Sequence, residues 1–226
     1  MDSERITEVV AIDGPAGAGK STAARRLGKL LGFAFLDTGA MYRAATWRAL
    51  DRGVDLDNHA ALAGSTQQMD LRIDESDGKQ TVLVDGRDVT EAIRSQEVTK
   101  EIYRLDSIPE IRAHLVELQR HVASLRPTVA EGRDMGTVVF PRAKCKFYIE
   151  ASLDERARRR FEELRTNGIE VDFQALRDEI ESRDLKAMTR AISPLRPADD
   201  AVRIDTTHMT LEQVVDQMAA LARSVF

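Results

Sequence analysis

Short unbroken apolar runs alternate along this chain with longer stretches whose apolar residues recur every three or four positions. Val9-Val10-Ala11-Ile12 is one such run, closed by Asp13-Gly14-Pro15, and Phe33-Ala34-Phe35-Leu36 is a second. Thr128-Val129-Ala130, Lys146-Phe147-Tyr148-Ile149 and Ala201-Val202-Arg203-Ile204 have the same form. Strands that read as continuous apolar runs are those buried on both faces, as in a parallel sheet. The spacing between them predicts helices over about 21–31, 40–50, 154–166, 172–186 and 210–224. Pro109 opens a further helix in which Ile111, Leu115, Leu118 and Val122 repeat at helical spacing. In the first helix, Ala24, Leu27, Leu30 and Leu31 form the expected inward face. Strands separated by helices indicate an α/β fold, an open three-layer domain with a parallel sheet at its centre.

One stretch breaks the rhythm. Met69-Asp70-Leu71-Arg72-Ile73-Asp74 alternates in polarity, Asp77-Gly78 is a hairpin signal, and Thr81-Val82-Leu83-Val84 returns. A second turn, Asp85-Gly86, leads towards Val89. The pattern predicts a small antiparallel unit inserted between the second and third core strands.

Composition narrows the classes. The 226 residues suggest one core with an insertion as readily as two domains. The 33 basic residues against 38 acidic ones give a net charge of −5, which argues against a nucleic-acid coat or an anionic membrane surface. The single cysteine, Cys145, excludes a disulfide framework and a multi-cysteine zinc site, and its apolar run predicts a small buried residue. No run approaches a membrane span, and Met1–Arg5 is charged where a secretory signal would become apolar. A cytoplasmic protein, monomeric or weakly associating, is expected. His114 and His121 share a helix face without a third ligand, and Trp47 is expected to pack the helix after Arg43.

The chemistry begins at Gly14-Pro15-Ala16-Gly17-Ala18-Gly19-Lys20-Ser21, which fits G-x-x-x-x-G-K-[ST], the P-loop. Its glycines allow consecutive backbone N–H groups to turn inward at a helix N-terminus, forming a concave site for phosphate. Lys20 can reach the β- and γ-phosphates, and the Ser21 hydroxyl is the candidate ligand for Mg²⁺. The motif lies between a strand and a helix, as its mechanism requires. A molecular switch should add N-K-x-D and D-x-x-G, and neither string occurs. A small-molecule kinase is favoured, because the short chain has room for a donor site and one acceptor site. Such an enzyme aligns two anions and neutralises spreading charge, work suited to arginine forks. Arg43, Arg112, Arg133, Arg142, Arg183 and Arg190 all lie near predicted element ends. A kinase of another monophosphate or metabolite, or a nucleotide-binding regulator without turnover, fits these residues too.

Three strings then act together: Gly14 through Thr22, Leu36-Asp37-Thr38-Gly39-Ala40-Met41-Tyr42-Arg43, and Glu131-Gly132-Arg133-Asp134-Met135-Gly136-Thr137-Val138-Val139-Phe140-Pro141. With Ile93–Val98, Pro109–Arg112 and Ile204–Thr207 in the same order, the chain resembles bacterial-type cytidylate kinases over nearly its whole length. The resemblance implies a P-loop NTPase core at 1–66 and 105–226 with a short lid at about 152–190. It also implies a nucleoside-monophosphate-binding insertion at 67–104. ATP would donate its γ-phosphoryl, with Mg²⁺, to CMP or dCMP. Gly14, Pro15, Ala16, Gly17, Ala18, Gly19, Lys20, Ser21 and Thr22 would bind ATP. Thr38 and Arg43 would contact the acceptor, Arg112 would help read cytosine, and Arg133 would bind the acceptor phosphate. Asp134 would read the base, since a carboxylate accepts from the cytosine amino group that uracil lacks. Arg183 would contact the acceptor sugar, and Arg190 would clamp phosphate between donor and acceptor. Lys20, Arg133 and Arg190 would carry the catalytic charge.

Arg156, Arg158, Arg159 and Arg160 read either as a lid over ATP phosphates or as a solvated face with Asp154–Arg158 and Glu155–Arg159 pairs. At most two of them can face the site together. The sequence departs from the family pattern where Ala187 replaces an aspartate near the acceptor ribose. Lys100 and Tyr103 replace an asparagine and a serine that touches cytosine. These changes imply weaker CMP binding or an altered preference among CMP, dCMP and UMP.

Overall fold

The computed structural model describes residues 8–76, 79–166 and 168–226; the Asp77-Gly78 turn and Met1–Arg5 lie outside the described residues. Chain order begins with β1 (Val9–Asp13), α1 (Lys20–Leu31), β2 (Ala34–Asp37), α2 (Thr38–Asp51) and α3 (His59–Gln67). The small strands β3 (Leu71–Ser76), β4 (Lys79–Val84) and β5 (Arg87–Asp88) follow, then a 3-10 turn at Ala92–Arg94. Next come α4 (Gln96–Asp106), α5 (Pro109–Ser124), β6 (Thr128–Gly132) and a π-helical turn, Met135–Val139. The chain closes with β7 (Cys145–Glu150), α6 (Leu153–Thr166), α7 (Phe173–Thr189), β8 (Val202–Asp205) and α8 (Leu211–Val225).

Five parallel strands form one sheet in the order β2-β6-β1-β7-β8. The alternation of β1 explains its two coats. Val9 and Ala11 point into a core completed by α2, α3, α5 and the inserted strands. Val10 and Ile12 point the other way, against α1 and α8. Cys145 is a buried member of this second core, where burial pushes its thiol up to about 11. The three-layer reading of the apolar runs therefore holds. The antiparallel unit is also present: Leu71 pairs with Val84 and Ser76 with Lys79, and Val82 and Val84 enter the first core.

The expected inward face of α1 needs one correction. Leu30 is 50% exposed, because the buried stripe runs through Ala23, Ala24, Leu27 and Gly28. Gly28 lets the helix close on the following strand; a Cβ there would stand 3.0 Å from the Phe33 carbonyl. Periodicity also passes over α3, a helix of small residues interrupted by Gly64 and Ser65. Its start is fixed by the Asn58 side chain, which accepts from the Ala61 N–H at 3.0 Å. Trp47 packs partly buried against the first core, with the Arg87 guanidinium 4.8 Å from its ring. A buried arginine fastens the insertion: Arg48 on α2 donates through Nε to Asp85 at 2.7 Å.

Candidate functional site

The carboxyl ends of β2, β6 and β1 lie abreast, with Asp37 beside Glu131 and Asp13 beside Gly132. Ligands of open parallel sheets bind at this edge. From β1 the chain turns at Gly14 with φ +148°, where a Cβ would lie 1.9 Å from the Ile149 carbonyl oxygen. Only glycine fits. Gly17 and Gly19 also take left-handed φ, +77° and +90°, and the loop feeds directly into α1. Pro15 and Ala18 are buried beneath it, while Ala16, Gly17, Gly19, Lys20, Ser21 and Thr22 line its accessible side. The Lys20 ammonium donates to the Pro15 carbonyl at 2.7 Å, and the Ser21 hydroxyl donates to Glu131. Burial lowers the Lys20 pKa, against which the Glu131 charge acts.

Acids close the strand ends. Burial raises the pKa of Glu131, and nearby Asp37 adds to that rise. Asp37 caps α2 by accepting from the Ala40 N–H at 2.9 Å and takes Arg43 Nη2 at 2.8 Å. Its own N–H donates to Gln80 of the insertion at 3.0 Å. Thr38 is buried, its hydroxyl donating to the Glu131 carbonyl at 2.7 Å. Asp13 accepts from the Met135 and Gly136 N–H groups at 2.7 and 2.8 Å, at the start of the π-helical turn. Burial pushes its carboxyl up to about 7 in spite of those bonds.

Beyond Gly132 the chain delivers Arg133 and Asp134 into a charged cluster. Arg112 of α5 and Asp134 form a buried, hydrogen-bonded ion pair. Arg190, just past α7, lies 3.5 Å from Asp106 and 3.9 Å from Asp134, while Arg133 lies 3.6 Å from Asp106. The Arg112 guanidinium stands 5.5 Å from the Tyr42 ring centre. Arg43 Nε, Arg112 Nε, Arg190 Nη2 and the Tyr42 hydroxyl are buried polar atoms without a hydrogen-bond partner among the described residues. Unused buried donors are costly in a finished core and are suited to a ligand. The Tyr42 phenol is pushed up to about 12 by burial. Arg183 has its pKa lowered by burial and by Arg133 beside it, and reaches Glu179 at 3.8 Å. Arg142 is exposed.

Helix α6 divides its arginines. Arg156 is buried, pairs with Asp184 of α7, and donates to the Ala16 carbonyl at 3.0 Å. Arg159 reaches the Ala18 carbonyl at 3.4 Å and the Thr206 carbonyl at 2.6 Å. Two therefore meet the phosphate loop. Arg158 and Arg160 point away, to Glu155 and Glu163. The Glu155–Arg159 pair is present at 2.8 Å. The Asp154–Arg158 pair is not, because Asp154 is taken by Arg177 across the α6–α7 hairpin at 2.7 Å. Ala187 is buried against Tyr148 and Leu195. Tyr103 is exposed, with Lys186 Nζ 4.2 Å from its ring centre.

The family profile described as cytidylate kinase matches residues 10–224. The chain belongs to the cytidylate kinase family. It is 46% identical to a cytidylate kinase of Carboxydothermus hydrogenoformans over 209 residues, 92% of this chain and 94% of the relative. With that of Limosilactobacillus fermentum it shares 47% over 211 residues, covering 93% of each. A relative from Nocardia farcinica is 44% identical over 96% of this chain and 94% of its own. No helix among the described residues is long and apolar enough to cross a membrane. In this cytidylate kinase family member, Asp13, Asp37, Tyr42, Asp106, Glu131 and Asp184 join the cleft without having been assigned roles from sequence. A signal for three of them was available: Asp13, Asp37 and Glu131 are acids standing directly after buried apolar runs. Nothing local marks Asp106.

Proposed function

We propose that the protein transfers the γ-phosphoryl group of ATP to CMP or dCMP, giving CDP or dCDP and ADP, in pyrimidine nucleotide metabolism. The observation that carries this reading is the facing arrangement at one sheet edge of a phosphate loop and a guanidinium cluster with unused buried donors. An oxygen of the acceptor phosphate attacks the γ-phosphorus, and the bond to the β-γ bridging oxygen breaks as ADP leaves. The loop from Gly14 to Thr22 holds the donor phosphates through backbone N–H groups other than those of Pro15, which has none, and Ala16, which Asp184 holds. Lys20 moves from the Pro15 carbonyl onto the transferred group, and Arg133 and Arg190 stabilise charge on its oxygens and on the acceptor. Arg43 and Arg183 grip the acceptor, Thr38 shapes its floor, and Arg112 with Asp134 reads the base.

Ser21, Glu131 and Asp37 bring hard oxygen donors together, and the repulsion between the two carboxylates favours a divalent cation. These residues fit Mg²⁺, with Ser21 as ligand. When bound, the ion offsets charge on the β- and γ-phosphates. The functional division is a core of 1–66 and 105–226, a lid near 152–190, and an acceptor-binding insertion at 67–104. The protein works as a cytoplasmic monomer on nucleotides, without nucleic-acid or membrane partners.

An ADP-release assay over CMP, dCMP, UMP and AMP tests the reading. Turnover with CMP or dCMP is expected, with an altered CMP-to-dCMP ratio from Ala187 and Tyr103; ADP release with AMP alone would overturn it. Lys20→Ala should lower kcat by about 10² to 10³.

A further inference from the structure

Among the described residues, six carboxylates border the cleft, and five are already engaged. Asp13 accepts two backbone N–H groups, and Asp37 accepts from Ala40 and Arg43. Glu131 takes the Ser21 hydroxyl, Asp134 takes Arg112, and Asp184 takes Arg156 and the Ala16 N–H. Asp106, the last residue of α4, differs. Its side chain is only 16% exposed, and its Oδ2 lies 3.5 Å from Arg190 and 3.6 Å from Arg133. Both separations are ion-pair distances, longer than a hydrogen bond. The Arg112 guanidinium beside it donates to the Asp106 backbone carbonyl at 3.1 Å, leaving the carboxylate untouched.

A carboxylate holds about four lone-pair positions, and desolvating it without hydrogen bonds is unfavourable. Burial accordingly raises the Asp106 pKa, although three guanidiniums oppose the rise. A negative group beside phosphate-binding arginines also repels the ligand's own phosphate. It is useful there only if the ligand offers it a donor. CMP carries two kinds, its sugar hydroxyls and the cytosine amino group. Asp134 and Arg112 are buried together as the base-reading pair, which leaves the sugar. On α7, Asp184 is spent on Arg156, and Ala187 is buried against Tyr148 and Leu195 with no polar group to offer.

We propose that Asp106 is a specificity residue for the acceptor sugar, its carboxylate accepting a hydrogen bond from a ribose hydroxyl of the bound monophosphate. The inference rests on the kinase reading above and goes beyond it by naming the group that tells one sugar from another. Arg133 and Arg190 both stand at ion-pair distance from its Oδ2 without saturating it.

The test compares the parent, Asp106→Ala and Asp106→Asn with CMP, 2′-deoxy-CMP and 3′-deoxy-CMP as acceptors. Losing a hydrogen bond to a charged acceptor should raise KM for CMP about tenfold in Asp106→Ala. The rise should be markedly smaller for whichever deoxy acceptor lacks the contacted hydroxyl. Asp106→Asn keeps a carbonyl acceptor and should recover part of the CMP discrimination. Thermal unfolding of each variant separates misfolding from lost recognition, and CMP titration monitored by calorimetry supplies a readout independent of turnover. An equal KM change for all three acceptors would overturn the proposal and leave Asp106 as a counter-charge for Arg133 and Arg190. Unchanged CMP affinity in a folded Asp106→Ala would overturn it as well. Failure of the kinase reading would instead show in the parent protein, as absent ADP release with every acceptor.

Discussion

On the proposed donor side of the cleft, the site is one run of nine consecutive residues, Gly14 to Thr22, and the instrument is the backbone. Three left-handed glycines and one lysine define it. On the proposed acceptor side the charges come from α2, α4, α5, the end of β6 and the end of α7, and the instrument is paired side chains. The first construction is short-range and steric, so a single methyl can break it. The second is long-range and electrostatic; its members depend on each other's charge, and damage spreads through the pairs.

The largest expected effect follows from the steric side. Gly14→Ala would drive a Cβ to 1.9 Å from a backbone oxygen and should cost about 4 kcal/mol or more, with loss of ATP binding. Denaturant unfolding and ATP titration measure both; a stable, ATP-binding variant would dissolve the contrast. Next is the electrostatic side. Arg112→Met leaves Asp134 buried against a weaker neighbour and should cost about 3–5 kcal/mol, whereas Arg112→Met with Asp134→Leu should regain part of it. No recovery in the double variant would mean that packing, and not charge pairing, sustains the acceptor wall.

Asp13 lies at the seam and gives a pH signature. An acid whose pKa rises on folding, here from 3.8 to about 7, adds stability that is complete below the unfolded value. That stability is lost as pH climbs through the folded value. Stability of the parent, relative to Asp13→Asn, should therefore decline between about pH 4 and 7. Urea midpoints across that range check it, and parallel curves would refute the assignment. The smallest effect is expected at the mouth. Tyr103→Ser removes the ring under Lys186 and should change stability by about 0.5–1 kcal/mol. A larger change would make this contact part of the acceptor wall rather than its rim.

The same contrast explains what could be read from the chain. The core strands and most helices were legible because burial on two faces leaves continuous apolar runs, and burial on one leaves a helical period. The phosphate loop was legible because its geometry demands glycine at fixed spacing. Leu30 was misread because a helix stripe can rotate by one position when a glycine permits closer approach. The helix at His59–Gln67 was passed over because small residues carry little periodic signal. Asp106 could not be singled out, because five of the eleven residues of helix α4 are charged. Which charges turn inward is decided by partners up to 168 positions away, as for Asp184 and Ala16.

The peptide groups flanking Ala16 have a consequence of their own. The Ala16 N–H is held by Asp184 and its carbonyl by Arg156, so helices α6 and α7 grip the phosphate loop from outside by both its poles. Arg159 adds a grip on the Ala18 carbonyl. A loop can turn its N–H groups towards phosphate only while its carbonyls are accommodated elsewhere, and here the accommodating groups sit on the α6–α7 hairpin. The hairpin thus serves the loop as a backrest. The shape of the phosphate cradle is thereby tied to the position of the helices behind it.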